Sequence, residues 1–358
     1  MGLVERLLLE VHEQQAATTS VMNASDPQIA VVLPCYRSKG YVLDVIGRIG
    51  PEAFLIVAVD DACPDGTGDH IKASCVDRRV EVVRNELNLG VGGAVIHGYR
   101  VALERGADIV VKIDSDGQMD PALLMQIVHP ILAGHADYTK GNRFFNIEDV
   151  RAMPKVRLFG NAGLSFLTKL SSGYWNIFDP TNGYTAIHRI ALEMLPLDKI
   201  DRRFFFESDM LFRLNIAGAV VIDVPIRASY GSERSNLRAG RALVPFLLKN
   251  LRNFLKRLFY RYYLRDLNIG SLEMLGGTVL LSFGLLFGVT QWISAAAKGV
   301  TASAGTVMLA GLPILVGVQM ILGFFAFDFM AVPRTPLQAI LGLVAESGES
   351  RATSRNEK

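Results

Sequence analysis

The chain has 358 residues, half of them apolar and a fifth charged, and its mean hydropathy of +0.28 favours one large domain plus a membrane segment over two soluble domains. Its 37 basic and 35 acidic residues leave a net charge of +2, which excludes a strongly cationic nucleic-acid binder and an acidic disordered tail protein. Three scattered cysteines (Cys35, Cys63 and Cys75) support neither a disulfide framework nor a zinc site, and the six histidines lack metal-binding spacing.

In chain order, residues 2–16 carry Glu5, Arg6, Glu10 and Glu13 among leucines, without the leading basic cluster or small-residue cleavage site of a signal peptide. Residues 1–28 therefore read as a short amphipathic helix and a linker. From Ile29 the pattern alternates. Apolar runs suited to buried parallel strands occur at Ile29–Leu33, Phe54–Val59, Val80–Val83 and Ile109–Ile113. Helical stretches separate them near 39–49, 65–75, 91–105 and 121–133. Strand and helix in alternation predict an α/β domain over 29–240 with an open, mostly parallel sheet, and ligands outside the C-terminal strand ends.

Residues 155–175 place Arg157, Lys169, Phe159, Leu164, Phe166 and Leu167 on a further amphipathic helix, either interfacial or core. Over 241–270 the charge becomes one-sided. Arg241, Lys249, Arg252, Lys256, Arg257, Arg261 and Arg265 occur with no acidic residue between the first and last. Leu247, Leu251, Phe254, Leu255, Leu258 and Tyr262 recur among them at helical spacing, as in a basic amphipathic helix lying on anionic headgroups. Over 271–330 come two uncharged runs, between Glu273 and Lys298 and from Gly299 to Phe327, each long enough to cross roughly 30 Å of hydrocarbon. Their glycines (Gly276, Gly277, Gly284, Gly288, Gly311, Gly317 and Gly323) suit close helix packing in lipid, and the hairpin could also pack with copies of itself. The positive-inside rule then puts residues 1–270 and the polar tail 331–358 in the cytoplasm.

The chemistry-bearing residues fall at the strand ends. Leu33-Pro34-Cys35-Tyr36 ends the first, and Val59-Asp60-Asp61 the second. The Asp pair can accept from a nucleobase or ribose, or cap the helix that follows. Asn88-Leu89-Gly90-Val91-Gly92-Gly93-Ala94 opens a helix after the third strand, not the first, which disfavours a nicotinamide enzyme. After the fourth strand, Asp114-Ser115-Asp116-Gly117-Gln118 offers three hard oxygen ligands, which suits Mg²⁺ or Mn²⁺ shared with a diphosphate.

With Gly141-Asn142-Arg143, Asp179-Pro180-Thr181-Asn182-Gly183-Tyr184, Phe206-Glu207-Ser208-Asp209-Met210 and Tyr230-Gly231-Ser232-Glu233-Arg234-Ser235, this order of motifs resembles family-2 inverting glycosyltransferases. Within that group it is similar to the dolichol-phosphate mannose synthase-like enzymes and bacterial polyprenyl-phosphate glycosyltransferases. The resemblance implies a GT-A fold with a C-terminal two-helix transmembrane hairpin, as in members that sit in the bacterial inner membrane with the catalytic domain in the cytoplasm. It implies transfer of a sugar from a nucleoside-diphosphate sugar to a polyprenyl (undecaprenyl) phosphate.

Carried over residue by residue, it assigns donor contacts to Pro34, Tyr36, Asp60, Asp61, Asn88, Gly92, Asp114, Ser115 and Asp179. The metal falls to Asp114, Asp116 and Gln118. Arg143 and Arg234 would face phosphates, and Asp209 matches the position of the base in relatives with hydroxyl acceptors. Both acids of 207–209 could instead complement a helix dipole. A basic residue is expected after Tyr184, and this chain has Thr185. Transfer to a hydroxyl of a glycolipid or polysaccharide, or a non-catalytic membrane scaffold of the same fold, stays open.

Overall fold

The computed structural model describes residues 27–145, 155–180, 182–226 and 239–341. The expected N-terminal helix, the loop carrying Arg234 and the tail beyond 341 lie outside these residues, as do the side chains of Arg157, Phe159 and Arg241.

Seven strands form one sheet: β1 (Ile29–Cys35), β2 (Ala53–Asp60), β3 (Val80–Arg84), β4 (Ile109–Lys112), β5 (Tyr138–Asn142), β6 (Thr185–His188) and β7 (Val221–Pro225). Their order across the sheet is β3-β2-β1-β4-β6-β5-β7. The sheet is mostly parallel, and β6 runs antiparallel to both of its neighbours. This is the α/β GT-A arrangement expected from the sequence.

Continuous apolar runs make β1, β2 and β4 because both faces of the sheet are covered. On one face Val32, Val57 and Val110 pack with Ala94, Val95 and Tyr99 of α3 (Val91–Glu104). Gly98 permits that approach, since a Cβ there would stand 2.3 Å from a Val32 methyl. On the other face Val31, Leu33, Ile56 and Val111 meet Val42 and Val45 of α1 (Val42–Gly47) and Leu124, Ile127 and Val128 of α4 (Leu124–Leu132). The helix α2 (Thr67–Ser74) links β2 to β3. After β5 come α5 (Lys155–Ser172), α6 (Arg189–Glu193) and α7 (Phe206–Ala217).

Residues 239–330 are mostly helical. The basic helix α8 (Ala239–Phe259) continues through a π-helical turn at Tyr260–Arg265. Next, α9 (Ile269–Lys298) begins at a capping box of Asn268 and Ser271, and α10 (Ala304–Met330) begins at the Ser303 cap. Both are long and apolar enough to cross a membrane. They form a tight hairpin because glycines face each other. A Cβ on Gly277 would lie 2.9 Å from the Gly317 carbonyl, and one on Gly317 would lie 2.7 Å from the Leu281 nitrogen. Large apolar side chains point outward with no protein cover, among them Trp292, 74% exposed, and Leu315, 68%.

Candidate active site

The parallel strands bring the predicted residues to one edge of the sheet, and there each acquires partners. At the end of β1 the Pro34 carbonyl accepts from Ser115 Oγ at 2.7 Å, and that hydroxyl also meets Ser38 Oγ at 2.8 Å. Ser115 is thus buried, and it ties the acidic turn to β1. Tyr36 is half exposed. Arg37 and Ala62, the residues following Tyr36 and Asp61, hold left-handed backbone at φ 57° and 50°, a strain that non-glycine residues adopt rarely.

Asp60 and Asp61 are both buried, and protein donors engage them. Asp60 accepts from the Cys63 and Gly68 nitrogens at 2.8 and 3.0 Å, which anchors the start of α2. Asp61 accepts from Asn85 Nδ2, Leu89 N and Gly90 N at 2.7, 2.9 and 2.8 Å. Asn88 in turn donates to the Asp61 carbonyl at 3.3 Å. The glycine loop packs against the protein's own chain. A Cβ on Gly92 would stand 2.5 Å from the Asp201 carbonyl and 2.8 Å from Phe206, so this glycine lets the segment leading into α7 approach.

The acidic turn leaves β4 at Asp114 and closes through Gly117, whose φ is 78°. Asp116 Oδ1 accepts from the Gln118 nitrogen at 3.0 Å, and Gln118 itself is exposed. Asp114 Oδ1 lies 2.8 Å from Lys112 Nζ. Among the described residues no group of three or more His, Cys, Asp or Glu could hold a metal alone. Two partly exposed carboxylates and an amide oxygen fit a hard divalent ion that completes its shell on substrate phosphates.

Two lysines that sequence reasoning passed over lie beneath this turn. Lys112 and Lys140 are both buried, and Thr185 is the cross-strand partner of each. Cross-strand partners share a face. The position where a cation was expected is therefore flanked by one on either side. Lys112 Nζ reaches the Gly183 carbonyl at 3.2 Å and Glu207 Oε1 at 3.4 Å, besides Asp114. Burial alone would lower its pKa; Asp114 and Glu207 outweigh that and hold it above the ordinary lysine value. Gly183 is needed here, since its Cβ would meet Asp114 Oδ2 and Lys112 Nζ at 2.5 Å each.

Lys140 donates to the Asn182 carbonyl. Burial lowers its ammonium from 10.5 to about 8. The folded protein releases that proton before the unfolded chain does, so its contribution to stability rises with pH between about 8 and 10.5. Relative to a Lys140→Met variant, the wild type is expected to gain stability across that window in denaturant unfolding. A pH-independent difference would contradict the burial argument.

Arg143 and Asp179, expected at a phosphate and at the sugar pocket, pair with each other. The guanidinium meets Asp179 through Nε at 2.8 Å and Nη2 at 3.2 Å, and the carboxylate is fully buried. At the start of α7 the two acids diverge. Glu207 turns to Lys112, whereas Asp209 accepts from Asp201 N, Arg213 Nε and Asn253 Nδ2, each at 2.9 Å. Asp209 thereby ties α7 to α8. Removing it with Asp209→Ala should cost about 3 kcal/mol of stability, because Arg213 loses its buried partner. Glu207→Gln leaves Lys112 its Asp114 and Gly183 partners, so it should cost less stability than Asp209→Ala and lower turnover. Equal unfolding midpoints for the two variants would contradict this division.

The chain is similar to several known proteins. The model of the family "Glycosyl transferase family 2" matches residues 30–195. A UDP-N-acetylglucosamine–dolichyl-phosphate N-acetylglucosaminyltransferase of Methanococcus voltae is 30% identical over 241 residues, spanning 62% of this chain and 93% of that protein. An undecaprenyl-phosphate mannosyltransferase of Micrococcus luteus is 32% identical over 204 residues, or 56% of this chain and 82% of that one. Among solved structures, glucosyl-3-phosphoglycerate synthase from Mycobacterium tuberculosis, in complex with Mn²⁺, UDP and glucosyl-3-phosphoglycerate, is 22% identical. It covers 64% of this chain and 80% of its own, with a TM-score of 0.47.

Proposed function

The chain belongs to glycosyl transferase family 2, and from that premise we propose that it transfers a sugar from a nucleoside-diphosphate sugar to a polyprenyl phosphate, undecaprenyl phosphate in a bacterial inner membrane. The observation that carries this reading is the linkage of the Asp114–Gln118 turn to an apolar hairpin: Lys112 joins the turn to Glu207 of α7, Asp209 joins α7 to α8, and Arg257 joins α8 to Asp328 of α10. Asn253 of α8 donates to Asp209 at 2.9 Å. The opposite side of α8 exposes Leu247, Leu248, Leu251, Leu255 and Phe259 beside Arg252, an apolar stripe with a cationic border. Such a helix holds the strand ends at the depth of a lipid headgroup, which is where a lipid phosphate presents itself.

In this mechanism the donor diphosphate lies over the acidic turn. Asp114, Asp116 and Gln118 would hold Mg²⁺ or Mn²⁺ there, and a divalent ion at that point neutralises charge building on the leaving nucleoside diphosphate. An acceptor phosphate oxygen attacks the anomeric carbon from the face opposite the leaving group. The new carbon–oxygen bond forms as the glycosyl–diphosphate bond breaks, and the nucleoside diphosphate departs with the bonding pair, giving inversion. A phosphomonoester whose second pKa is about 6 is largely dianionic at neutral pH and needs little general-base help. Glu207, ion-paired to Lys112, then orients the sugar, and Asp209 holds α7 and α8 in register. Much of the rate comes from this positioning.

A hydroxyl acceptor would require a true base, and Glu207 is the carboxylate beside Asp114 through Lys112. The two readings separate when the purified protein is offered a polyprenyl phosphate and the free polyprenol of equal chain length, each with a labelled sugar nucleotide. Label in the phosphate alone supports the proposal. Label in the alcohol moves the assignment to hydroxyl transfer.

A further inference from the structure

Lys112 has a part in the donor site that follows from where its charge lies, given the donor-site reading above. Its side chain is 1% exposed, and its ammonium sits 2.8 Å from Asp114 Oδ1 and 3.4 Å from Glu207 Oε1. The Gly183 carbonyl, 3.2 Å away, pins it from a third side. The position is built: β4 delivers the lysine, Gly183 leaves room for it, and Lys140 fills the equivalent place two strands away.

A fixed cation in contact with a metal-ligating carboxylate acts in two ways. It occupies an oxygen that a bare divalent ion would need, and it repels that ion at short range in a partly desolvated place. A nucleoside diphosphate changes the balance by bringing its own negative oxygens to the same point. With the diphosphate present, ammonium and metal can share the surplus of negative charge.

We propose that Lys112 is a resident counter-cation, a positioning residue that keeps bare divalent metal from the Asp114–Asp116 turn and admits it together with the nucleoside diphosphate. Metal and nucleotide then load as one unit, and a site without donor stays free of tightly held metal.

The test is Mn²⁺ binding to the full-length purified protein, read from the electron paramagnetic resonance signal of free Mn²⁺, alone and with UDP or GDP. Wild type is expected to hold bare Mn²⁺ weakly and to gain about tenfold or more in affinity with the matching nucleotide. Lys112→Met should bind bare Mn²⁺ about tenfold tighter than wild type, so that the gain from nucleotide shrinks. Lys112→Arg should keep the wild-type pattern. A lysine with a merely structural task would give the opposite sign, since losing it would disorder Asp114 and weaken Mn²⁺ binding.

If Lys112→Met binds bare Mn²⁺ no tighter, the proposal is overturned. Should that variant fail to fold, Glu207→Gln serves instead. Leaving the ammonium to Asp114 alone, it should weaken bare Mn²⁺ binding several-fold, and an unchanged affinity overturns the proposal. If wild type holds no Mn²⁺ even with either nucleotide, the metal reading of Asp114 and Asp116 falls, and this inference with it.

Discussion

Asp116→Asn is expected to reduce sugar transfer by about a thousandfold while leaving the protein folded. Asn keeps the shape of Asp116 and retains an oxygen for the Gln118 nitrogen, now accepted at 3.0 Å, so the turn closes as before. What is lost is a negative charge at a partly exposed point where a divalent ion and a diphosphate would meet. Charge stabilisation of that kind contributes several kcal/mol, and each 1.4 kcal/mol is about tenfold in rate. Asp114→Asn would also disturb Lys112, which that carboxylate holds. The check is turnover at saturating donor beside an unfolding curve. A variant with near-wild-type turnover would sink the metal assignment.

The second large effect is expected far from the strand ends, where α10 meets α8. Arg257 is fully buried, and its guanidinium takes Asp328 in a fork, Nη1 to Oδ1 at 2.6 Å and Nη2 to Oδ2 at 2.9 Å. Asp328 also accepts from Trp175 Nε1 at 2.8 Å and from the Tyr262 hydroxyl. Arg257 reaches the Leu170 carbonyl at 3.0 Å. The Arg257–Asp328 pair near the end of the second apolar helix therefore joins α5, the segment after it, α8, the π-helical turn and α10. Arg257→Met leaves that carboxylate buried without its charge partner, and such a loss costs about 3–5 kcal/mol. Arg257→Met combined with Asp328→Asn removes both charges, leaves an acceptor for Trp175 and Tyr262, and should recover most of the loss. Unfolding in detergent would show it as a midpoint that falls for the single variant and returns for the double. Equal midpoints for single and double variants would mean the fork adds nothing beyond packing.

The first four strands were legible because each is an apolar run bounded by turn residues, and burial on both faces demands such runs. The hairpin was legible for a similar reason, with its glycines marking where the helices touch, although Gly311 meets nothing within 4 Å. The placement of β6 was not. It enters antiparallel between β4 and β5, a long-range pairing that no local pattern encodes, and that pairing alone puts Thr185 between Lys112 and Lys140. A lysine ending the buried run Ile109-Val110-Val111-Lys112 was the available signal for a functional cation.

Within the site, residue types were readable and partners were not. Glu207 and Asp209 lie two positions apart, which on a helix is about 200° of rotation, so they face different neighbours. The family resemblance matches Asp209 to the base of relatives with hydroxyl acceptors, and in the structure its oxygens hold the α7–α8 junction. Arg143 and Asp179 were each read as facing ligand, and their mutual pairing depends on a separation of 36 residues. Asp328 looked like the place where an apolar run stops. Its partners make it the fastening of the hairpin instead.

Lipid-phosphate glycosylation is read out by sugar transfer with the purified protein in detergent, from a panel of UDP- and GDP-sugars to undecaprenyl phosphate with Mg²⁺ or with EDTA. One lipid-linked product is expected, formed from one donor, of inverted anomeric configuration and lost in EDTA. A protein that binds nucleotide yet labels no lipid phosphate from any donor would contradict the proposed function.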